Sequence, residues 1–174
     1  MISTKSRNVS AFTLVETLTV LLIIALLTAL ITGVVGYVNR KADDDRARVE
    51  ISSLELAIER YKLDTGAYPT SSAVRASLPL ALPLAEITNS ALLYAQLTSG
   101  PRAYYQFRSN QVLTVGSATN LTVILDPWNL PYNYFCRYPT TNAQVNKATF
   151  DLWSYGLNFL NNEGSPDDIA NWKP

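Results

Sequence analysis

Histidine is absent from this chain of 174 residues. With it go imidazole acid–base catalysis, the Ser-His-Asp and Cys-His nucleophile arrangements, and most zinc sites. Cysteine is reduced to one residue, Cys136, so no disulfide closes within the chain. A lone cysteine in a β-like stretch reads as a small apolar filler. Neither sign of charge is in excess: 14 basic residues balance 14 acidic ones. A nucleic-acid partner would require a clustered basic surplus, so none is expected. Paired carboxylates are missing too. Asp126, Asp151, Asp167 and Asp168 are scattered through the β-rich half with no spacing that singles out a pair. The chain therefore reads as a non-enzyme.

What the chain does have is a long stretch without charge. Leu18 to Val38 is apolar except for Thr19, Thr28, Thr32, Gly33 and Gly36. As a helix, about 21 residues span ~31 Å, the thickness of a bilayer core. A secretory signal is the alternative, but its apolar region is shorter and is followed by a small-residue cleavage site. Ahead of the run lie eleven polar residues carrying Lys5 and Arg7. Glu16 sits just inside the apolar segment, where an ionised carboxylate costs at least ~2.5 kcal/mol unless it is wet or meets a cation. Charge alone does not orient the span, because Arg40, Lys41, Arg46 and Arg48 follow its other end.

The segment Ser10-Ala11-Phe12-Thr13-Leu14-Val15-Glu16 resembles the prepilin leader motif of type IV pilins and type II secretion pseudopilins. Ala11 stands where that family usually has glycine. The resemblance implies a leader of residues 1–11, removed by prepilin peptidase between Ala11 and Phe12, with methylation of the new Phe12 amine. It implies that Glu16 pairs with the amine of an adjacent subunit during assembly. It also places the globular domain outside the cytoplasmic membrane, in the periplasm, on a single-pass inner-membrane anchor.

No proline or glycine interrupts Tyr37 to Asp64, and good helix formers dominate. One helix is predicted from about Phe12 to Leu63, with Gly33 and Gly36 as places to bend and Gly66 as the stop. Residues 12–38 form its membrane half and 39–65 its soluble half. Ile51, Leu54, Ile58 and Tyr61 make a stripe for packing. Arg46 with Glu50, and Glu55 with Glu59, are expected on wet faces, and Asp43-Asp44-Asp45 as a solvated collar.

Residues 66–174 read as the globular domain. Tyr61 to Thr70 resembles the segment that closes the long helix in major, G-type pseudopilins. A short helix, Ser90 to Thr98, is predicted with Thr88 or Asn89 as its cap. Strands are predicted at Tyr104–Phe107, Val112–Val115, Leu121–Leu125, Tyr132–Arg137 and Thr149–Trp153. Asp126-Pro-Trp-Asn-Leu-Pro-Tyr132 resembles a turn of the same pseudopilins, with Asn129 in place of glycine. The C-terminal loop, ending Asp168-Ile-Ala-Asn-Trp172, resembles one that binds Ca²⁺ there. Asn158, Asp167 and Asp168 are then the metal candidates, with Glu163 a spare ligand. Trp153 and Trp172 are expected as buried anchors.

The resulting expectation is an α+β, pilin-like fold, one long N-terminal helix packed on an antiparallel sheet of three to five strands. The implied function is a structural subunit of a type II secretion pseudopilus. Its implied partners are identical subunits in a filament, minor pseudopilins, the membrane, a secretion ATPase and an inner-membrane platform. A type IV pilin for adhesion, motility or DNA uptake is the alternative.

Overall fold

The computed structural model describes residues 13–71, 84–115, 120–136, 145–146, 148–160 and 168–172. The chain forms two compact units that divide after Asn39. Helix α1, Leu14–Thr65, contributes to both and runs through Gly33 and Gly36 without losing its helical state.

In the first unit the described side chains of α1 are exposed. Leu14, Leu18, Leu21, Leu22, Ile23, Ile24, Leu27 and Leu30 are all at least half exposed. The helix is long and apolar enough to cross a membrane. Its threonine hydroxyls spend their donors on the helix itself: Thr17 on the Leu14 carbonyl, Thr19 on that of Glu16, Thr28 on that of Ile24. A hydroxyl satisfied this way enters hydrocarbon at little cost.

In the second unit α1 is one-sided. Ala47, Ile51, Leu54, Ala57 and Ile58 are buried at 3- and 4-residue steps. The helix ends where expected: Gly66 takes φ +83°, and its N–H returns to the Lys62 carbonyl at 2.8 Å. Helix α2, Leu84–Ser99, lays Leu93 and Leu97 into the same core. It starts six residues before the predicted Ser90. The chain places Pro83 directly ahead of it, a residue that the start of a helix tolerates. Thr88 and Asn89 are therefore interior. Asn89 and Ser90 are buried, and Ser90 Oγ both receives the Ile124 N–H and donates to the Ile124 carbonyl.

Strands β1, Val112–Val115, and β2, Leu121–Ile124, pair antiparallel with Val112 opposite Ile124. Strands β3, Asn133–Phe135, β4, Asp151–Ser154, and β5, Ile169–Ala170, form a second antiparallel sheet in that order. The predicted single sheet is thus two. Between them lies an isolated bridge, Leu125 to Pro131, carried by the Asp126 N–H on the Leu130 carbonyl and the Tyr132 N–H on the Ile124 carbonyl; the Ile124 N–H that would extend it goes to Ser90 Oγ. Strand β5 escaped sequence reading because two residues carry no alternation. Tyr104–Phe107 is not a strand. Its aromatics pack against other rings instead, Tyr104 edge-on to Tyr61 at 5.3 Å, Tyr105 and Phe107 tilted on each other at 4.6 Å, and Phe107 tilted on Tyr94 at 5.2 Å. The aromatic signal there marked packing, not pairing.

The core joins Ile51, Leu54 and Ile58 of α1 to Leu93 and Leu97 of α2 and to Ile124, Tyr132, Tyr134, Leu152 and Ile169. The soluble half of α1 thus packs on the sheets, as expected. Side-chain amides and hydroxyls fasten the loops. Gln96 receives the Thr70 N–H and donates to the Thr70 carbonyl, and Ser71 Oγ does the same with the backbone of Cys136.

Candidate functional site

Glu16 lies in the first turn of α1 and is exposed. It is the N3 partner of Thr13 in a Thr-x-x-Glu capping box. The Thr13 N–H points at Glu16 Oε2 (3.4 Å), and the Glu16 N–H points at Thr13 Oγ1 (3.3 Å). These are long hydrogen bonds and hold the carboxylate weakly. The Thr13-x-x-Glu16 spacing is visible in the sequence, where it overlaps the leader motif. Ala11 and Phe12 lie outside the described residues.

Beyond the membrane half, Lys41 pairs with Asp45 at 2.9 Å on the surface. The Arg46–Glu50 pair, also 2.9 Å, is not on a wet face as predicted: Glu50 is 8% exposed. Glu50 falls between Ala47 and Ile51 on the core stripe. Its Oε1 receives Arg46 Nε and Gln111 Nε2, and its Oε2 receives the Tyr132 hydroxyl at 2.9 Å. A charge at a core-facing position of the helical period was the signal that it was buried. Glu55 and Glu59 are half-buried rather than wet. Burial raises the Glu55 pKa; a hydrogen bond from Asn171 opposes the rise and the neighbouring Glu59 adds to it.

The Asp126 turn closes as the sequence implied. Asn129 takes φ 65°, the left-handed conformation that asparagine tolerates. Asp126 Oδ1 receives the N–H groups of Trp128 and Leu130, and Oδ2 receives the Ser154 hydroxyl at 2.6 Å. Burial outweighs these bonds and pushes the Asp126 pKa up to about 6 from 3.8, with Glu50 adding to the rise. A carboxyl raised on folding contributes stability that is full below pH 3.8 and is lost as pH climbs through about 6. Asp126→Asn keeps an acceptor for the two N–H groups and does not ionise. We expect the variant to gain on the wild type between pH 4 and pH 7, by roughly 3 kcal/mol at most. Thermal melting of the two full chains in detergent across that range reads it; a difference that does not change with pH would refute the assignment.

Asp151 is also consumed by backbone: its two oxygens receive the N–H groups of Val145 and Asn146 at 2.8 and 2.7 Å. In the C-terminal loop, Gly156 and Phe159 take positive φ, and Asn158 Oδ1 receives the Leu160 N–H at 2.7 Å. Asn158 is exposed and Asp168 is buried; Asp167 and Glu163 lie outside the described residues. Among the described residues no three His, Cys, Asp or Glu side chains come together as a metal set. Asn171 explains part of the closing motif. Its Oδ1 receives the Leu152 N–H and its Nδ2 donates to the Phe150 carbonyl, so the side chain extends the ladder past β5. Trp153 is fully buried, while Trp172 is partly exposed and meets it edge-on at 5.8 Å. Cys136 is half-buried and free, its thiol 3.6 Å from the Thr149 carbonyl.

An uncovered apolar helix that begins on a carboxylate, followed by a small α+β domain built on the end of the same helix, defines a membrane-anchored subunit of pilin-like architecture. Residues 34–80 match the family described as type II secretion system (T2SS), protein G. The type II secretion system core protein G of Aeromonas hydrophila is 30% identical, over 97% of this chain and 95% of that one. Its counterpart in Pseudomonas aeruginosa is 30% identical, over 95% and 96%, and that of Vibrio cholerae 28%, over 97% and 94%. The crystal structure of the major pseudopilin from the type 2 secretion system of enterohaemorrhagic Escherichia coli is 23% identical, with a TM-score of 0.40, over 77% of this chain and 86% of that one. The chain belongs to the type II secretion system core protein G family.

Proposed function

We propose that this chain is the repeating structural subunit of a pseudopilus. It is stored in the inner membrane by the apolar half of α1, with its domain in the periplasm, and is cut by prepilin peptidase between Ala11 and Phe12. Polymerisation buries the apolar half against neighbouring copies, and Glu16 meets the Phe12 amine of an adjacent subunit. A secretion ATPase and its membrane platform supply the work of extraction, and minor pseudopilins complete the filament. The observation that carries this reading is a carboxylate at the head of a helix whose first half, from Leu14 to Ile31, leaves its large apolar side chains exposed. Among the described residues that carboxylate meets only the weak cap of Thr13, and a cation from a second copy would be a stronger partner. Intact-mass measurement on protein from membranes tests the processing. A chain beginning at N-methylated Phe12 is expected; one that still begins at Met1 refutes it.

The C-terminal loop is the second element of the proposal. Asn158, Asp167 and Asp168 offer oxygen donors, the chemistry that Ca²⁺ selects. Bound there, the ion would supply a cross-link between the two ends of the loop. Chelation with EDTA is expected to lower the melting temperature of the full chain, and added calcium to restore it. An unchanged melting curve would mean that the loop holds no metal.

A further inference from the structure

The C-terminal loop leaves β4 after Ser154 and returns at β5, where Ile169 stands opposite Ser154. That pair is the base of the loop. The returning arm is fastened by the ladder and by Asn171, which bonds the backbone of Leu152 and Phe150. The departing arm is fastened differently. It leaves the strand at once, with Tyr155 in a helical conformation, Gly156 at φ +67° and Gly156–Asn158 in a single 3-10 turn. A side chain fixes its direction. Ser154 Oγ receives the Gly156 N–H at 3.1 Å and donates its own proton to Asp126 Oδ2 at 2.6 Å.

The turn that contains Asp126 has no need of this second oxygen. Oδ1 alone receives the N–H groups of Trp128 and Leu130. The backbone closes the rest, Asn129 N–H on the Asp126 carbonyl and Asp126 N–H on the Leu130 carbonyl. An asparagine would cap such a turn with its one oxygen. A carboxylate in its place, 3% exposed, is costly to bury. Its remaining oxygen is spent on a residue 28 positions further along the chain. Ser154 is wholly buried and Gly156 is buried, so solvent does not take over these bonds cheaply. Tyr155 lies between them and is held as well. Its ring shares a cluster with Leu130 of the Asp126 turn, Phe135 and Trp153, and its hydroxyl donates to Asn133 Oδ1 at 3.3 Å.

We propose that Asp126 is a positioning residue for the C-terminal loop: acting through Ser154, it holds the Gly156 N–H and so sets the direction in which the arm carrying Asn158 leaves the sheet. The consequence for calcium rests on the metal reading of that loop given above. An arm fixed in advance loses less freedom when an ion closes the loop, so the latch raises affinity without touching the ion.

Amide exchange resolved to single residues, on the full chain in detergent, tests the latch. In Ser154→Ala the Gly156 amide is expected to exchange about tenfold faster or more, beyond any rise shared by Leu54 and Ile58 in the core of α1. Ser154→Thr keeps a hydroxyl and should keep the slow rate. Asp126→Ala should act like Ser154→Ala, and in a Ser154→Ala chain should add nothing at Gly156 beyond the shared rise. A Gly156 amide that only follows Leu54 and Ile58 overturns the proposal, and so does a further rise in the double variant. If Ser154→Ala does not fold, the wild type decides: protection of the Gly156 amide by about tenfold or more supports the latch, and an unprotected one overturns it. Calorimetric titration with calcium chloride separates this proposal from the metal reading. The wild type is expected to bind, and Ser154→Ala to bind about tenfold more weakly, with Ser154→Thr close to the wild type. Equal affinity in Ser154→Ala overturns the effect on calcium. A wild type that takes up no calcium sinks the metal reading, while the exchange rates still decide whether Asp126 holds the arm.

Discussion

Glu16→Leu is expected to remove filaments altogether while leaving the protein in the membrane. The two halves of that outcome follow from opposite consequences of one charge. In the bilayer the carboxylate is a burden of at least ~2.5 kcal/mol, relieved only partly by the capping box with Thr13, so leucine inserts at least as well. On the proposed pairing, the same carboxylate meets a neighbour's amine in the filament, and leucine would leave that cation buried without a counter-charge. Unpaired buried charges cost several kcal/mol each, and the cost recurs at every subunit added. Glu16→Gln separates cap from charge. Glutamine serves a capping box as well as glutamate does, yet it neutralises no amine, so it should insert normally and also fail to assemble. Thr13→Val does the reverse, losing the box and keeping the charge, and should still form filaments. Sheared-fibre and membrane fractions from a host with the full apparatus read all three. Normal filaments from Glu16→Gln would remove the pairing from the account.

Most of the architecture was legible because it rests on period and punctuation. The uncharged run, the stripe at Ile51, Leu54 and Ile58, and the stop at Gly66 each depend on a local rule that tertiary context did not override. Strand β1 was placed to the residue for the same reason. The turn at Asp126 was legible because asparagine is the next most tolerant residue where glycine is missing. Two kinds of feature were not. The start of α2 was obscured by Thr88 and Asn89, which read as caps but are interior, because buried polar partners such as the Ser90–Ile124 pair are invisible to local pattern. The division into two sheets, with two-residue β5, depends on pairing between distant segments.

Glu50 shows the same limit most clearly. Read along the chain it was half of a surface pair with Arg46, a contact worth a few tenths of a kcal/mol. In three dimensions it receives Gln111 and Tyr132, which lie 61 and 82 residues away. The clamp ties α1 to the turn before β1 and to the start of β3. Burial, followed by the charge of Glu50 itself, raises the pKa of the Tyr132 hydroxyl far above its usual value, so it stays a donor.

Glu50→Ala should therefore behave as a core lesion. It strands the Tyr132 hydroxyl and the Gln111 amide, whose residues are 1 and 7% exposed, and each orphaned donor costs about 1–3 kcal/mol. Arg46 is 41% exposed and returns to water cheaply. The expected loss is roughly 3 kcal/mol, on the order of 10 °C in melting temperature, and a large share of the 5–15 kcal/mol typical of a domain. Tyr132→Phe should cost less, about 1–2 kcal/mol, since it leaves Glu50 its other two donors. The double variant should cost less than the sum of the two, because after the first change no hydroxyl–carboxylate bond is left to break. Thermal melts of the three variants and the wild type in detergent complete the cycle. A Glu50→Ala chain within 0.5 kcal/mol of the wild type, the scale of an ordinary surface substitution, would mean that the clamp orders these elements without stabilising them.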